Sequence, residues 1–352
     1  MRCLTLADGL KERGANCRFV CREHTGSLLD LIRQRGFKAN ALPIETTSDQ
    51  FQRDEHGLQG SSHEHWLGAG WRDDAEQTIN VMGDAQFDWV IVDHYALDEK
   101  WERRLRPVCK KLMVIDDLAD RRHDCDILLD QNWFGEKTEK RYHSIVPEGC
   151  KCMLGPTYAL LNHAYPQLRA LMPSRDGIVN RILVFLGGSD PTNETGKVLE
   201  ALMQPSLMSL TVDVVIGLNH PAPEQIKRLG AVRPRTSIHC GVPSLAGMMA
   251  RSDLMVAAGG TTTWERMCLG LPSIVICVAE NQVLTNQSLM RAGYVDYLGW
   301  RDGVSSEDIA GAIFRKIKKP DELKMQSALC QSLVSGNGVD KLCDYFLNGV
   351  EA

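Results

Sequence analysis

Leu186-Gly187-Gly188-Ser189-Asp190-Pro191 and Ala257-Ala258-Gly259-Gly260-Thr261-Thr262-Thr263-Trp264-Glu265 are two glycine turns, each preceded by an apolar strand-like run and followed by a helix-like one. Glycine lets backbone N–H groups approach phosphate oxygens, and the helix that follows presents unpaired N–H groups at its positive dipole end. Threonine hydroxyls add further donors. This half of the chain therefore reads as a holder for a nucleotide diphosphate, with Glu265 one turn into the second helix, where it can accept from ribose hydroxyls. Neither turn is followed by Lys-Ser or Lys-Thr at Walker spacing, and neither fits the dinucleotide pattern G-x-G-x-x-G. ATPase and dehydrogenase readings drop out. A diphosphate held at a helix start without a catalytic lysine suits a nucleotide-sugar enzyme.

Outward from these turns, strand and helix patterns alternate. Strands are expected at Cys17–Cys21, Trp89–Val92, Leu112–Ile115, Ile127–Leu129, Ile182–Leu186, Val212–Ile216, Leu254–Ala257 and Ser273–Cys277, with amphipathic helices between them. Short apolar strands in such alternation predict an α/β fold of two doubly wound parallel-sheet domains facing one another across a cleft. Pro166, Pro173, Ser174, Asp176 and Gly177 interrupt the pattern and place a linker at 166–180. It separates a 1–165 domain from a 181–335 nucleotide-binding domain, and 336–352 forms a C-terminal helix or tail. Helices are expected at Glu307–Lys318 and Asp321–Ser335, and the last helix is expected to pack back on the first domain. The start, Met1-Arg2-Cys3-Leu4-Thr5-Leu6-Ala7, reads as an amphipathic helix running into Gly14, not as a signal peptide.

Composition narrows the classes. The 352 residues are natural for two domains, and a hydrophobic share of 43% with 24% charged residues is ordinary for an α/β protein. A net charge of -5 argues against a nucleic-acid surface, which needs clustered Lys and Arg. The run Arg103-Arg104-Leu105-Arg106 with Lys110-Lys111 reads as a solvated helix face. No apolar run reaches the length of a membrane span. Of the twelve cysteines only Cys150 and Cys152 are close, as C-x-C without a second pair, so reduced thiols of a cytoplasmic protein fit better than disulfides or a metal site. His63/His65 and His239/Cys240 lack metal-ligand partners at suitable spacing.

Asp93-His94-Tyr95 follows the apolar run Val90-Ile91-Val92, and Asp116-Asp117 follows Val114-Ile115. Groups at the carboxyl end of a parallel strand face the crevice where ligands bind, so these are candidates for sugar hydroxyls or proton transfer. Two plainer readings stand beside that one: the carboxylates cap helices, and His94 is satisfied by backbone. Asp190-Pro191-Thr192-Asn193 reads as a helix start with proline set early, while Ser189 and the turn amides are candidates for phosphate. Asn281-Gln282 reads equally as a turn and as a pair of side-chain amides offered to a ligand, and His220-Pro221 reads as a loop.

Asp93-His94-Tyr95-Ala96-Leu97-Asp98, Ile115-Asp116-Asp117-Leu118-Ala119-Asp120-Arg121, Cys125-Asp126-Ile127-Leu128-Leu129-Asp130-Gln131-Asn132, Gly155-Pro156-Thr157-Tyr158-Ala159-Leu160-Leu161 and the two glycine turns, taken together and in order, resemble the pseudaminic acid pathway hydrolases. These are UDP-2,4-diacetamido-2,4,6-trideoxy-β-L-altropyranose hydrolases with a GT-B fold similar to MurG-type glycosyltransferases. The resemblance runs to about Tyr297. It implies metal-independent attack by water at the anomeric carbon, with release of UDP and free sugar and no cofactor. On this likeness Gly259, Gly260, Thr261 and Thr262 meet the diphosphate, for which Gly187, Gly188 and Ser189 are candidates from the first turn itself. Glu265 meets the ribose, and Gly241 and Val242 after Cys240 meet uracil. Asp93, His94 and Tyr95 line the sugar side.

Two departures qualify the likeness. The family opens with a strand and a loop ending G-x-G-H-x-x-R-C, whose histidine is the catalytic base. Met1-Arg2-Cys3 matches the tail of that motif, so the strand, the loop and the base are expected upstream of Met1. Asn162-His163 stands where the family more often has arginine then proline. Three readings follow: a hydrolase, a glycosyltransferase using the same fold and UDP site, and a UDP-sugar binding protein without chemistry.

Overall fold

In the computed structural model, which describes residues 1–44 and 63–348, twelve strands are assigned. They are β1 (Arg18–Arg22), β2 (Lys38–Leu42), β3 (Phe87–Val92), β4 (Cys109–Ile115), β5 (Ile127–Asp130), β6 (Lys151–Leu154), β7 (Arg181–Phe185), β8 (Thr211–Ile216), β9 (Thr236–Cys240), β10 (Leu254–Ala258), β11 (Ser273–Cys277) and β12 (Asp296–Trp300). All pairings between them are parallel. The chain divides into two compact units: residues 1–132, 137–160 and 339–352 form one, and 133–136 with 161–338 form the other. This is the α/β architecture of parallel sheets flanked by helices. The polar segment Thr46–Ser62 and the last four residues of the expected tail lie outside the described residues.

The second unit is a six-stranded sheet in the order β12-β11-β10-β7-β8-β9. β10 and β11 are buried along their whole length because helices cover both faces, which is why they read as unbroken apolar runs. Val184, Val214, Val256 and Ile276 pack on one face against Leu199 and Leu202 of the helix Glu194–Leu202 and Ile309 and Ile313 of the helix Ser306–Ile317. Leu183, Val215, Met255 and Val275, which alternate with them, are buried on the other face. Each such side chain contributes about 1.5–3 kcal/mol by leaving water. The helix Ser306–Ile317 starts on a reciprocal capping box between Ser305 and Asp308. The next helix is Pro320–Leu333.

The first unit holds a four-stranded sheet, β3-β4-β5-β6, and a separate pair, β1-β2. The opening helix Arg2–Glu12 and the closing helix Gly338–Asn348 share one core. Leu6 and Leu10 meet Val339, Leu342 and Cys343 over Met113, Ile115 and Leu129. Gly9 permits this approach, since a Cβ there would lie 2.5 Å from Val339 Cγ1. Arg13 Nη2 binds Asp340 Oδ1 at 2.6 Å across the same junction. The last helix thus returns to the first unit.

One local expectation is corrected. The helix after the first glycine turn begins at Glu194, not at Pro191. Asn193 is the N-cap, its Oδ1 accepting from Gly196 N at 3.3 Å, and Asp190 adds to it, its two carboxylate oxygens accepting from Glu194 N at 2.9 Å and Thr195 N at 2.8 Å. Pro191 sits in the turn before the cap, because Asp190 and Asn193 take positive φ (37° and 57°) and hold the chain out of helical geometry there.

Candidate functional site

In the second unit the order of the strands reverses between β7 and β10: β8 and β9 lie beyond β7, while β11 and β12 lie beyond β10. β7 and β10 pair directly, Leu254 opposite Ile182 through Ala257 opposite Phe185. The turn at Gly187-Gly188-Ser189 leaves the end of β7, and the turn at Gly259-Gly260-Thr261-Thr262 leaves the end of β10. The fold thus sets both glycine turns side by side at the switch point, the crevice where open parallel sheets bind ligands.

Each turn is held from behind. Gly187 has φ 111°, and Gly217, at the end of β8, lies so close that a Cβ there would sit 1.7 Å from the Gly188 carbonyl oxygen. His220 Nδ1 accepts from Ala222 N at 3.1 Å, which leaves the ring proton on Nε2 to donate to Asp190 Oδ2 at 3.3 Å. At the second turn, the fully buried Asn286 donates from Nδ2 to the Gly259 carbonyl at 3.1 Å and to the Gln282 carbonyl at 2.7 Å. The Arg266 guanidinium is fully buried beneath the turn, donating to Ser273 Oγ at 2.9 Å and to the Ala258 carbonyl at 3.3 Å. Burial without a paired carboxylate pulls it down to about 10, which still leaves it charged at neutral pH. A fixed positive charge therefore backs the second turn.

Glu265 is half-buried and accepts a hydrogen bond from the Tyr165 hydroxyl, and Ser244 in turn bonds Tyr165. Burial pushes the Glu265 carboxyl up to about 7, against the opposing pull of that hydroxyl. Asn281 is exposed, whereas the Gln282 side-chain Oε1 accepts locally from Val278 N at 3.2 Å. Thr261 is exposed, Thr262 is half-buried, and Gly241 with φ 62° and Val242 follow β9, two strands away from β7. His239, next to Cys240, pairs with Asp213 at 2.9 Å.

In the first unit, adjacent strands β3, β4 and β5 end in Asp93, Asp116-Asp117 and Asp130. Asp93 does not cap a helix. It receives Arg2 through Nη2 at 2.7 Å, and burial, which raises its carboxyl, is outweighed by that guanidinium so that it stays below the ordinary range. Arg2 Nη1 also reaches Asp117 Oδ2 at 3.4 Å. Tyr95 hydrogen-bonds Asp117, its phenol pushed up chiefly by burial, and its ring packs beside His63 and Trp66 with centroids 5.6 Å and 5.9 Å away. Asp117 Oδ1 is buried without a hydrogen-bond partner. His94 Nδ1 accepts from Ala96 N at 3.1 Å, the backbone satisfaction that was one of its two readings.

Below this rim lies a pair of carboxylates that share one phenol. The Tyr142 hydroxyl is 3.1 Å from Asp116 Oδ2 and 3.0 Å from Asp130 Oδ2, and both acids are almost wholly buried. A phenol has one proton, so one of the two contacts needs a carboxyl proton. Burial raises both acids, but Arg121 and His123 bring Asp116 below its ordinary value, whereas Asp130 is pushed up to about 7. Asp130 is therefore the proton holder. Because its folded value lies above the unfolded one, the stability it contributes is complete below about pH 4 and is lost as the pH rises through about 7. Asp130→Asn, which keeps a donor for Tyr142, should be more stable than the parent at about pH 8 and flatten the decline between about pH 5 and 8, by on the order of 1–3 kcal/mol. Urea unfolding at the two pH values measures it. An equal decline in both proteins would remove Asp130 from that role.

No family model matches the chain. Among proteins of known sequence it is similar to an uncharacterised protein of Methanocaldococcus jannaschii, 26% identical over 60% of this chain and 43% of that protein. It is also similar to the spore coat polysaccharide biosynthesis protein SpsG of Bacillus subtilis, 29% identical over 53% of this chain and 55% of that one. These two matches span about half of the relatives' own lengths. A third relative is the UDP-2,4-diacetamido-2,4,6-trideoxy-β-L-altropyranose hydrolase of Campylobacter jejuni, 22% identical over 63% of this chain and 78% of that protein. Among solved structures the fold is similar to MurG of Acinetobacter baumannii, with a TM-score of 0.62, 12% identity and coverage of 98% and 95% of the two chains. It is equally similar to UGT89C1 of Arabidopsis thaliana complexed with UDP, with a TM-score of 0.65, 13% identity and coverage of 97% and 95%. Together these likenesses show the GT-B fold and a similarity to the pseudaminic acid pathway hydrolase that the motifs resemble.

Proposed function

We propose that this GT-B chain is a UDP-sugar hydrolase that cleaves UDP-2,4-diacetamido-2,4,6-trideoxy-β-L-altropyranose in pseudaminic acid biosynthesis. A water oxygen bonds to the anomeric carbon, the bond from that carbon to the UDP oxygen breaks, and UDP and the free sugar leave. The observation that carries the reading is the pairing of β7 with β10, which puts two glycine turns at one switch point. In this reading the amides of Gly187, Gly188, Ser189, Gly259 and Gly260 and the hydroxyls of Thr261 and Thr262 bind the diphosphate, with the Arg266 charge behind them. That arrangement stabilises the negative charge growing on the leaving UDP without a metal ion. Glu265, set by Tyr165, takes the ribose, Gly241 and Val242 take the uracil edge, and Asn281 and Gln282 flank the second turn. Asp93, His94, Tyr95 and Asp117 of the first unit act on the sugar.

The fold's likeness to MurG and to the UDP complex of UGT89C1 favours a second reading, a UDP-sugar-dependent glycosyltransferase. A third is a protein that binds UDP-sugar without turning it over. Incubation of the full chain with the UDP-sugar and a metal chelator, followed by chromatography of both products, separates them. Equimolar UDP and free sugar without any acceptor supports hydrolysis. UDP release only when an acceptor is supplied supports transfer. Tight UDP binding with intact sugar nucleotide leaves only the binding protein.

A further inference from the structure

The C-x-C pair, which the sequence leaves without a second pair, acquires a third thiol in the fold. Cys125, just ahead of β5, is 2% exposed, and its Sγ lies 3.6 Å from Cys150 Sγ. The Cys150 and Cys152 thiols hydrogen-bond one another, and Cys152 is exposed. Cys152, Cys150 and Cys125 thus pass from exposed through half-buried to buried. The backbone beneath them is pinned: Lys151 N donates to the Asp126 carbonyl at 2.9 Å, and Leu128 pairs with Cys152 in the β5–β6 register. The Sγ–Sγ separation of 3.6 Å must close to about 2.05 Å for a disulfide. Among the described residues no such group is arranged to hold a metal ion.

We propose that Cys125, Cys150 and Cys152 form a thiol relay that a hydroperoxide oxidises to a Cys125–Cys150 disulfide. The Cys152 thiolate attacks the peroxide oxygen, the O–O bond breaks, and the products are a sulfenic acid and, with hydrogen peroxide, water. The Cys150 sulfur then attacks Cys152 Sγ and displaces a second water, giving a Cys150–Cys152 bridge. Because this bridge spans only i and i+2, it is strained and exchanges readily. The buried Cys125 sulfur attacks Cys150 Sγ, and Cys152 leaves as a thiolate that regains its proton. In balance, two thiols and one peroxide yield one disulfide and two waters, with sulfur oxidised and peroxide oxygen reduced. Contact with Cys125 pushes the Cys150 thiol up to about 12, and contact with Cys150 pushes the attacking Cys152 thiol up further still, so the relay turns slowly at neutral pH. The resulting bridge closes the segment that carries Asp130, Arg141 and Tyr142.

The test treats the folded full chain with hydrogen peroxide at about pH 8.5, alkylates remaining thiols under denaturing conditions, and maps peptides by mass spectrometry. The expected result is a linked Cys125–Cys150 peptide with the loss of two of the twelve titratable thiols. Cys152→Ser should form the same bridge roughly tenfold more slowly, and Cys125→Ser should stop at Cys150–Cys152. Sulfinic or sulfonic acid on Cys152 with Cys125 and Cys150 still alkylated would overturn the proposal. So would an undiminished rate in Cys152→Ser, or a bridge that forms equally fast in the unfolded chain. The wild-type peptide map decides the matter even where a variant fails to fold.

Discussion

Gly217→Ala should abolish UDP binding and destabilise the second unit by roughly 2–4 kcal/mol. The added methyl would meet the Gly188 carbonyl oxygen at 1.7 Å and its carbon at 2.6 Å. Both contacts are to backbone, so no rotamer change relieves them. The first glycine turn must move away from the end of β8, and its amides leave the switch point together. Gly247→Ala is the control, because that glycine lies inside the helix Ala246–Arg251 and a methyl added there would meet no atom within 4 Å. It should be neutral or stabilise by up to about 1 kcal/mol. Thermal unfolding and UDP titration calorimetry on the two variants measure both effects. If Gly217→Ala binds UDP within about threefold of the parent, the first turn does not contact the nucleotide.

The strands that the sequence revealed and those it hid differ in a physical way. β10 and β11 sit mid-sheet, buried on both faces, and their apolar runs announce them. β2, β6, β9 and β12 were not legible. All four are edge strands, as are β1 and β3, whose Phe19-Val20-Cys21 and Trp89-Val90-Ile91-Val92 runs kept them legible: Lys38-Ala-Asn-Ala-Leu42 and Thr236-Ser-Ile-His-Cys240 mix polar and small residues because one side meets solvent. Hydrophobic periodicity reports burial, and an edge strand has less of it.

The same limit applies to the site. The glycine turns were legible because the backbone chemistry they need is written in residue types that are locally contiguous. Tyr165 behind Glu265, Arg266 beneath the second turn, Asn286 on Gly259 and Tyr142 between Asp116 and Asp130 were missed, because each acts through a contact that folding alone creates. Weak signals existed for two of them. Arg266 directly follows Glu265 on a helix flanked by apolar residues, and Asn286 stands four residues after Gln282, on the same helical face. Cys125 carried no local signal toward Cys150, since the β5–β6 pairing joins them.

Asp117→Asn should lower kcat for UDP release by roughly 100- to 1000-fold while leaving UDP affinity within about twofold. Among the groups at the ends of β3 and β4, Asp117 is the one suited to accept a proton. Asp93 is committed to Arg2 by a bidentate contact, and Asp116 is fully buried under Tyr142 and Arg121. Asp117 keeps Oδ1 without a hydrogen-bond partner, while Arg2 and Tyr95 fix its orientation. His94 is unsuited by its tautomer. Since Nδ1 accepts from Ala96 N, the neutral ring carries its proton on Nε2 and donates rather than accepts; burial, the largest influence, keeps it neutral by lowering its affinity for a second proton. His94→Gln should therefore cost less than about tenfold in kcat. The comparison is made on kcat with saturating UDP-sugar, with UDP affinity measured separately in each variant. Were His94→Gln to lose the larger factor and Asp117→Asn to stay within tenfold of the parent, the proton would have to move through the imidazole, with the ring released from Ala96 when sugar binds.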